Sequence, residues 1–483
     1  MNPVYFIVLP LILAFASGPL HSIDSRVPRY LFALQNALLF CLALGYATST
    51  ESTISYIAVM PPVGIALAMD GASSLLATLF TLSALLFSLF EILFREDGAS
   101  ERYYYLFTNL LLAGALGLIL TTDLFNLYVF IEFTAISAYL LTAYPRESIS
   151  LEGALKYLIV GSVASLLILF AIILIYLQTG TLNIALVISR LGEMDTKSLY
   201  LIAVLLFVGF GFKTEIFPFN FWVADIYRSA DSRIGGLFSA IVVKAYLFVF
   251  FRLYLLGDFQ ESYRSFLVGA GIVSMLVAEM AALRERNLKR IFAYSTLGQV
   301  GMIFSALAVG TETAIEGAFM LAIAHSVAKL TIFLSLATIE RESSTLHIDI
   351  LKRVRSPLLI AVVTISMLSL LGIPPMGGFA GKFIILKAFA DSSLYLPLGA
   401  ILVASLIEAV YYFRIIGKLY GRAPGDITLH IDAGIAIVLL GASILSICIG
   451  IFAYTLAPLL ERAAVSLGVL SDYSAVILGG GAI

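Results

Sequence analysis

Charge is what this sequence has least of. Asp, Glu, Lys and Arg together make up 12% of its 483 residues, against 61% hydrophobic residues, and the mean hydropathy is +1.02. A soluble globular domain carries about twice that share of charge. The net charge of −2 gives no basis for a nucleic-acid partner. Cysteine is scarce as well: Cys41 and Cys448 lie in apolar runs far apart, which argues against a disulfide framework, an iron–sulfur cluster or a thiol motif. Of the four histidines only His325 lies deep in an apolar stretch, so paired axial haem ligands between helices are not available. No P-loop, dinucleotide fingerprint or metal-ligand spacing is present. No cofactor or metal is therefore expected, and the driving energy has to come from an ion gradient or from partner subunits. No Lys or Arg precedes Arg26, so the N-terminal apolar run lacks the basic region of a cleaved signal and is expected to be a retained span.

What fills the chain is apolar sequence in lengths that cross a bilayer, about 20 residues each. The runs predict an all-α polytopic membrane protein of fourteen helices, starting near Val4, Tyr30, Ser73, Tyr103, Asp123, Gly153, Ser198, Ile234, Tyr263, Leu288, Thr313, Ser356, Leu394 and Ile431. Residues 49–71, interrupted by Pro and Ser, are expected to form an extended or re-entrant segment on the outer side. Basic residues sort by loop parity. Loops after odd-numbered helices hold Arg26, Arg29, Arg95, Arg102, Arg146, Arg228, Arg233, the run RERNLKR at 284–290, Arg341, Lys352, Arg353, Arg355, Lys418 and Arg422. The others hold Arg190, Lys197, Arg264 and Arg462. Positively charged loops stay in the cytoplasm, so both termini are expected outside the plasma membrane of a prokaryotic cell.

Against that background Glu132, Lys213, Lys244, His325, Lys329 and Lys382 are costly, because each falls inside an apolar stretch. A charge near the bilayer centre costs about 3 kcal/mol on insertion scales and marks ion or proton pathways. Two of these residues adjoin helix breaks. The seventh helix reads GFGFKTEIFPFNFWVADIY, and the twelfth reads LLGIPPMGGFAGKFIILKAF. Proline removes a backbone donor, and irregular backbone at membrane depth survives only inside protein or along water. Matching breaks in two halves point to the transport site of an inverted-repeat transporter. The halves, roughly 101–256 and 263–420, show only weak self-similarity.

Each residue also has a plainer reading. A membrane glutamate can be neutral and only tie helices together, and a lone histidine is usually a packing residue. Glu132, about nine residues past Asp123, gains a function if Lys213 is its partner, since opposite charges hold each other ionised. Weakening that pair lets a desolvated lysine release its proton. Lys244 is too deep to snorkel easily, unlike Arg252. His325 and Lys329 are one helical turn apart on one face, and together they read as a relay. Asp123, Lys387 and Glu408 are accessory candidates, of which Lys387 is near enough to its span's end to snorkel.

The segments TTDLFNLYVFIEFTAISAYLL, ALKYLIVGSVASLLILF followed by TGTLNI, GFKTEIFPFNFWVADIY, NLKRIFAYSTLGQVGMI, AHSVAKLTIFL and LLGIPPMGGFAGKFIILKAF resemble the antiporter-like membrane subunits shared by respiratory complex I, multisubunit sodium/proton antiporters and membrane-bound hydrogenases. The resemblance covers roughly residues 65 to 420. It implies helices 1–3 over residues 1–100, one inverted five-helix repeat over 101–256 and a second over 263–420, each with a broken helix, and a fourteenth helix at 431–458. It also implies roles: Glu132, Lys213, Lys244, His325 with Lys329, and Lys382 as successive proton carriers along the bilayer midplane, the last as exit. Partners would be further membrane subunits, including other antiporter-like ones and a peripheral redox module, with protons or sodium as cargo and lipid around. Asn220 in place of a histidine, and VADIY without proline after Trp222, lean towards the antiporter, hydrogenase and related archaeal complexes. The alternatives are a non-pumping scaffold subunit and a stand-alone secondary transporter of a small anion.

Overall fold

The computed structural model describes residues 2–49, 52–57, 64–94, 103–256, 260–343, 345–423 and 431–468. Arg95 and Arg102 of the expected basic loops lie outside these, as do residues 58–63 of the expected extended segment. Among the described residues twelve helices are long and apolar enough to cross a membrane, and Tyr104–Leu120 and Pro357–Leu371 add two shorter apolar ones. With these two as the fourth and the first half of the twelfth, the expected order of spans is reproduced. Tyr5–Ile23, Val27–Thr48 and Gly71–Phe94 are the first three. Leu124–Ala143, Ser148–Thr179, Thr196–Lys213, Ser232–Leu255 and Tyr263–Arg284 are the fifth to ninth. Leu288–Val309, Glu312–Glu342, the broken twelfth, Tyr395–Leu419 and Ala433–Ile451 complete the set.

Local chemistry sets the ends of these helices. Asp123, Asp195, Asn287, Thr311 and Ser356 each accept a backbone N–H of the first turn through their side chains, which satisfies donors that a helix start leaves orphaned. Gly180, Gly310 and Gly372 end helices in the left-handed conformation, where a Cβ is costly. Lipid-facing spans expose large apolar side chains, such as Leu166, Leu177 and Leu406. The eighth, tenth and eleventh spans are almost wholly enclosed by the rest of the protein. The enclosed spans carry Lys244, His325 and Lys329, so the ionisable residues sit at the core of the bundle and away from lipid.

Three features go beyond the sequence reading. Residues Thr53–Ile57 and Ile65–Met69 pair as an antiparallel hairpin, Thr53 opposite Met69, in the segment expected to be extended. Asp70 then caps the third span through Ser73 and binds Arg252 at 2.6 Å in a buried pair. The last apolar run stops at Ile451, and a separate helix, Ala453–Gly468, packs on the third and eleventh spans. Its Ser466 hydroxyl accepts the Ala72 N–H at 2.8 Å. At the opposite end, basic residues of the odd-numbered loops meet acidic partners: Arg290 with Glu285 and Asp225, Lys289 with Glu340, Arg233 with Glu91 and Asp231.

One backbone pattern occurs twice. Leu124 N donates to Leu182 O and Ile184 N to Thr122 O, both at 2.9 Å, while Leu288 N donates to Leu346 O at 2.9 Å and Ile348 N to Arg286 O at 2.8 Å. The second set follows the first at one constant spacing along the chain, and Lys244 and Glu408 stand at that same spacing.

Candidate functional site

The seventh span stops being helical at Lys213 and resumes at Val223–Ser229. Lys213 is buried, and its Nζ has no hydrogen-bond partner. It lies 5.7 Å from the Tyr246 ring centroid and in the field of Glu132. Glu132 is half-buried on the fifth span, and its Oε1 is likewise without a hydrogen bond. The two expected partners thus influence each other through space without a hydrogen bond between them. Asp123 does not join them. Its carboxylate accepts the Asn126 N–H at 2.8 Å as the cap of the fifth helix.

The eighth span contains a wide turn, Phe238–Val242, of π-helical geometry, a distortion frequent at functional sites. It turns the Ser239 carbonyl onto the Lys244 ammonium. The other partner of Lys244 is His325 Nδ1 at 2.5 Å, so two residues from separate halves of the chain meet at the bundle centre. When Lys244 is charged, Nδ1 accepts and the ring proton sits on Nε2; when Nδ1 carries the proton, Lys244 has to be the neutral amine. His325 Nε2 is buried and has no partner. A cavity of about 20 Å³ touches Lys244 beside Leu76, Phe248, Ile303 and Phe319, room for about one water.

One turn along the eleventh span, Lys329 donates to the Phe292 carbonyl at 2.8 Å and to Ser295 Oγ at 2.7 Å. Ser295 bonds the Tyr412 hydroxyl at 2.5 Å. In the twelfth span the helix ends at Leu371 and restarts at Gly377. Lys382, just beyond, forms a buried ion pair with Glu408 of the thirteenth span at 2.6 Å and donates to the Leu371 carbonyl freed by the break at 3.3 Å. Gln299 donates to the other Glu408 oxygen at 2.7 Å. Glu408, expected only as an accessory, is therefore a full member of the cluster. Lys387 is exposed.

The sequence reading passed over two carboxylates. Glu279 is buried in the ninth span, accepts from the Tyr411 hydroxyl at 2.8 Å and feels the charge of Glu408. It lies shortly before the basic run at 284–290, towards the end of its span. Glu215, two positions after Lys213, is buried at the helix break and feels the charge of Lys244. Its signal was the acidic residue in KTEIF itself. A cavity of about 280 Å³ between the fifth to ninth spans is lined almost wholly by apolar side chains such as Leu127, Ile172 and Phe207 and offers no path for charge.

A row of ionisable side chains thus runs through the enclosed middle of the bundle, from Glu132 and Lys213 through Lys244, His325 and Lys329 to Lys382 and Glu408. Known proteins share this chain's sequence and shape. NADH-quinone oxidoreductase subunit N of Desulforudis audaxviator is 30% identical over 438 residues, 86% of each chain. A Na(+)/H(+) antiporter subunit of Bacillus subtilis is 31% identical over 360 residues, 73% of each. A chain in the structure of the membrane-bound sulfane sulfur reductase, an archaeal respiratory membrane complex, superposes with a TM-score of 0.92 at 31% identity, covering 98% of this chain and 99% of that one. The family model described as NADH:quinone oxidoreductase/Mrp antiporter, TM, matches residues 121–408, a stretch that holds every charged member of the row, and the chain belongs to that family of antiporter-like membrane proteins.

Proposed function

We propose that this chain is a proton-translocating subunit of a multisubunit ion-pumping membrane complex, and that protons move laterally through its buried Glu, Lys and His side chains. The contact of Lys244 with His325 carries the reading, because it joins the first half of the path to the second by a hydrogen bond with two proton positions. Structural ion pairs would bury such charges in fixed partnerships; Glu132 Oε1, Lys213 Nζ and His325 Nε2 have none. The Lys382–Glu408 pair closes the row as the exit group.

Two inverted repeats, 101–256 and 263–420, would underlie this path, supported by the backbone bridges that recur at constant spacing and by a helix break in each half. Helices 1–3 and the fourteenth flank them. Relatives named for NADH-quinone oxidoreductase and Na(+)/H(+) antiporter complexes support neighbouring antiporter-like subunits as partners, and the likeness to the archaeal reductase chain supports a redox module as one driver. The parity of basic loops supports a prokaryotic plasma-membrane location with both termini outside.

The test is ion pumping by the assembled complex in membrane vesicles with Glu132→Gln or Lys213→Met. Loss of pumping at undiminished assembly is the expected result, and unchanged pumping in both variants rejects the proposal.

A further inference from the structure

The helix that ends at Lys213 closes on a backbone turn. Thr214 N donates to Phe210 O at 2.7 Å and Ile216 N to Gly211 O at 3.0 Å. Residue 215 in this turn is left-handed, with φ 62°, a conformation that is costly for a residue with a Cβ and is usually given to glycine at helix ends. The twelfth span closes in the same way, Ile373 N donating to Leu368 O at 3.1 Å. There the left-handed residue is Gly372, with φ 83°. The seventh span has glutamate where its counterpart has glycine, so the position carries a backbone cost that glycine would remove. Backbone strain of this kind gathers where a side chain is needed for function.

The Glu215 side chain fits such a need. It is buried, and its Oε2 has no hydrogen-bond partner. Its charge acts on Lys244 of the eighth span, Tyr157 of the sixth and Tyr227 of the second half of the seventh. Lys213, two residues earlier, looks instead to Glu132 and Tyr246. One irregular stretch of backbone therefore carries a lysine in the field of the fifth span's glutamate and a carboxylate in the field of the eighth span's lysine.

We propose that Glu215 is a proton-carrying residue that links Lys213 to Lys244. The proposal rests on the lateral path described above. A proton leaving the Lys213 ammonium, directly or over water, converts the Glu215 carboxylate to the acid and leaves a neutral amine. Passing it to neutral Lys244 regenerates the carboxylate and forms the Lys244 ammonium, and the reverse direction uses the same states. Two lysines alone repel each other when both are charged, whereas a carboxylate between them favours the charged form of either. Because Lys213 and Glu215 share the break, a shift that moves Lys213 relative to Glu132 also moves Glu215 relative to Lys244.

The experiment compares Glu215→Asp, Glu215→Asn and Glu215→Gly in the assembled complex in membrane vesicles. Asp and Asn tolerate the left-handed conformation almost alike, and glycine relieves it, so the three differ mainly in whether residue 215 can hold a proton. Proton movement should stay within about twofold of wild type for Asp and fall about tenfold or more for Asn and Gly, at equal assembly. Equal rates for Asp and Asn, or full activity in Gly, overturn the assignment. Glu132→Gln in the same assay separates the two proposals: if it stops transport while Glu215→Asn does not, only the role of Glu215 falls, and if neither lowers the rate the path itself falls.

Discussion

Lys244 and His325, from the eighth and eleventh spans, stand 2.5 Å apart through Nζ and Nδ1 at the centre of the bundle. The contact binds the two halves of the protein by a hydrogen bond whose proton can belong to either partner. His325→Ala leaves Lys244 buried with only the Ser239 carbonyl, which should cost about 1–3 kcal/mol. His325→Gln supplies an acceptor but no titrating group. Thermal melting should rank Gln above Ala, while vesicle assays of proton movement should find both inactive. An active Gln variant would show that the contact only packs.

The Lys382–Glu408 pair tests whether charge at the exit serves stability or transport. Glu408→Gln leaves the Lys382 charge buried without its counter-ion, and breaking a buried pair on one side costs about 3–5 kcal/mol. Lys382→Met combined with Glu408→Leu removes both charges and should regain most of that loss. Melting of the isolated complex should recover in the double variant, and proton movement should not. Recovery of both would assign the pair to structure alone.

Gly298 lets the tenth span approach the ninth. A Cβ at this position would overlap Glu279 Oε1, so Gly298→Ala has to push the carboxylate off Tyr411. Overpacking of this kind costs about 1–3 kcal/mol. Lower stability with reduced proton movement is expected, and Glu279→Gln in the same assay isolates the part due to the carboxylate. Normal transport in both would leave Glu279 a structural partner of Tyr411 alone.

Asp231 precedes the eighth span and chelates Arg233, with contacts of 2.9 and 2.7 Å. Burial raises its carboxyl pKa, but Arg233, through its charge and its hydrogen bonds, lowers it further, so the group stays below the ordinary carboxylate range. A lowered carboxyl contributes stability that is present above its unfolded pKa of about 4 and is lost as pH falls through the folded value. The melting difference between wild type and Asp231→Asn should therefore be constant from about pH 8 to 5 and shrink below about pH 4. A difference that already shrinks between pH 7 and 6 would contradict this.

Much of the architecture was legible in the sequence because lipid imposes length and polarity on every span. The starts expected near Asp123, Leu288 and Ser356 fell within a residue of the helices that begin at Leu124, Leu288 and Pro357. Glu132, Lys213, Lys244, His325, Lys329 and Lys382 stood out because each interrupts an apolar run. The partnerships of Lys244 with His325 and of Lys382 with Glu408 did not, because these bonds cross between helices, and no pattern along the chain encodes that distance. Glu279 and Glu215 were masked by their neighbours, a basic loop and a more conspicuous lysine. The pairing of Thr53–Ile57 with Ile65–Met69 and the helix Ala453–Gly468 were hidden because the contacts beside them, Asp70 with Arg252 and Ala72 with Ser466, join residues far apart in the chain.

Lateral proton transfer through the bundle centre is tested most sharply by the initial rate of proton movement in membrane vesicles that hold the assembled complex with Lys244→Met. Met is one atom shorter than Lys and removes the charge that has to be desolvated, while His325 Nδ1 loses its partner, so the rate is read per assembled complex. A fall to about a tenth of the wild-type rate or less is expected. A wild-type rate at equal assembly would contradict transfer through Lys244.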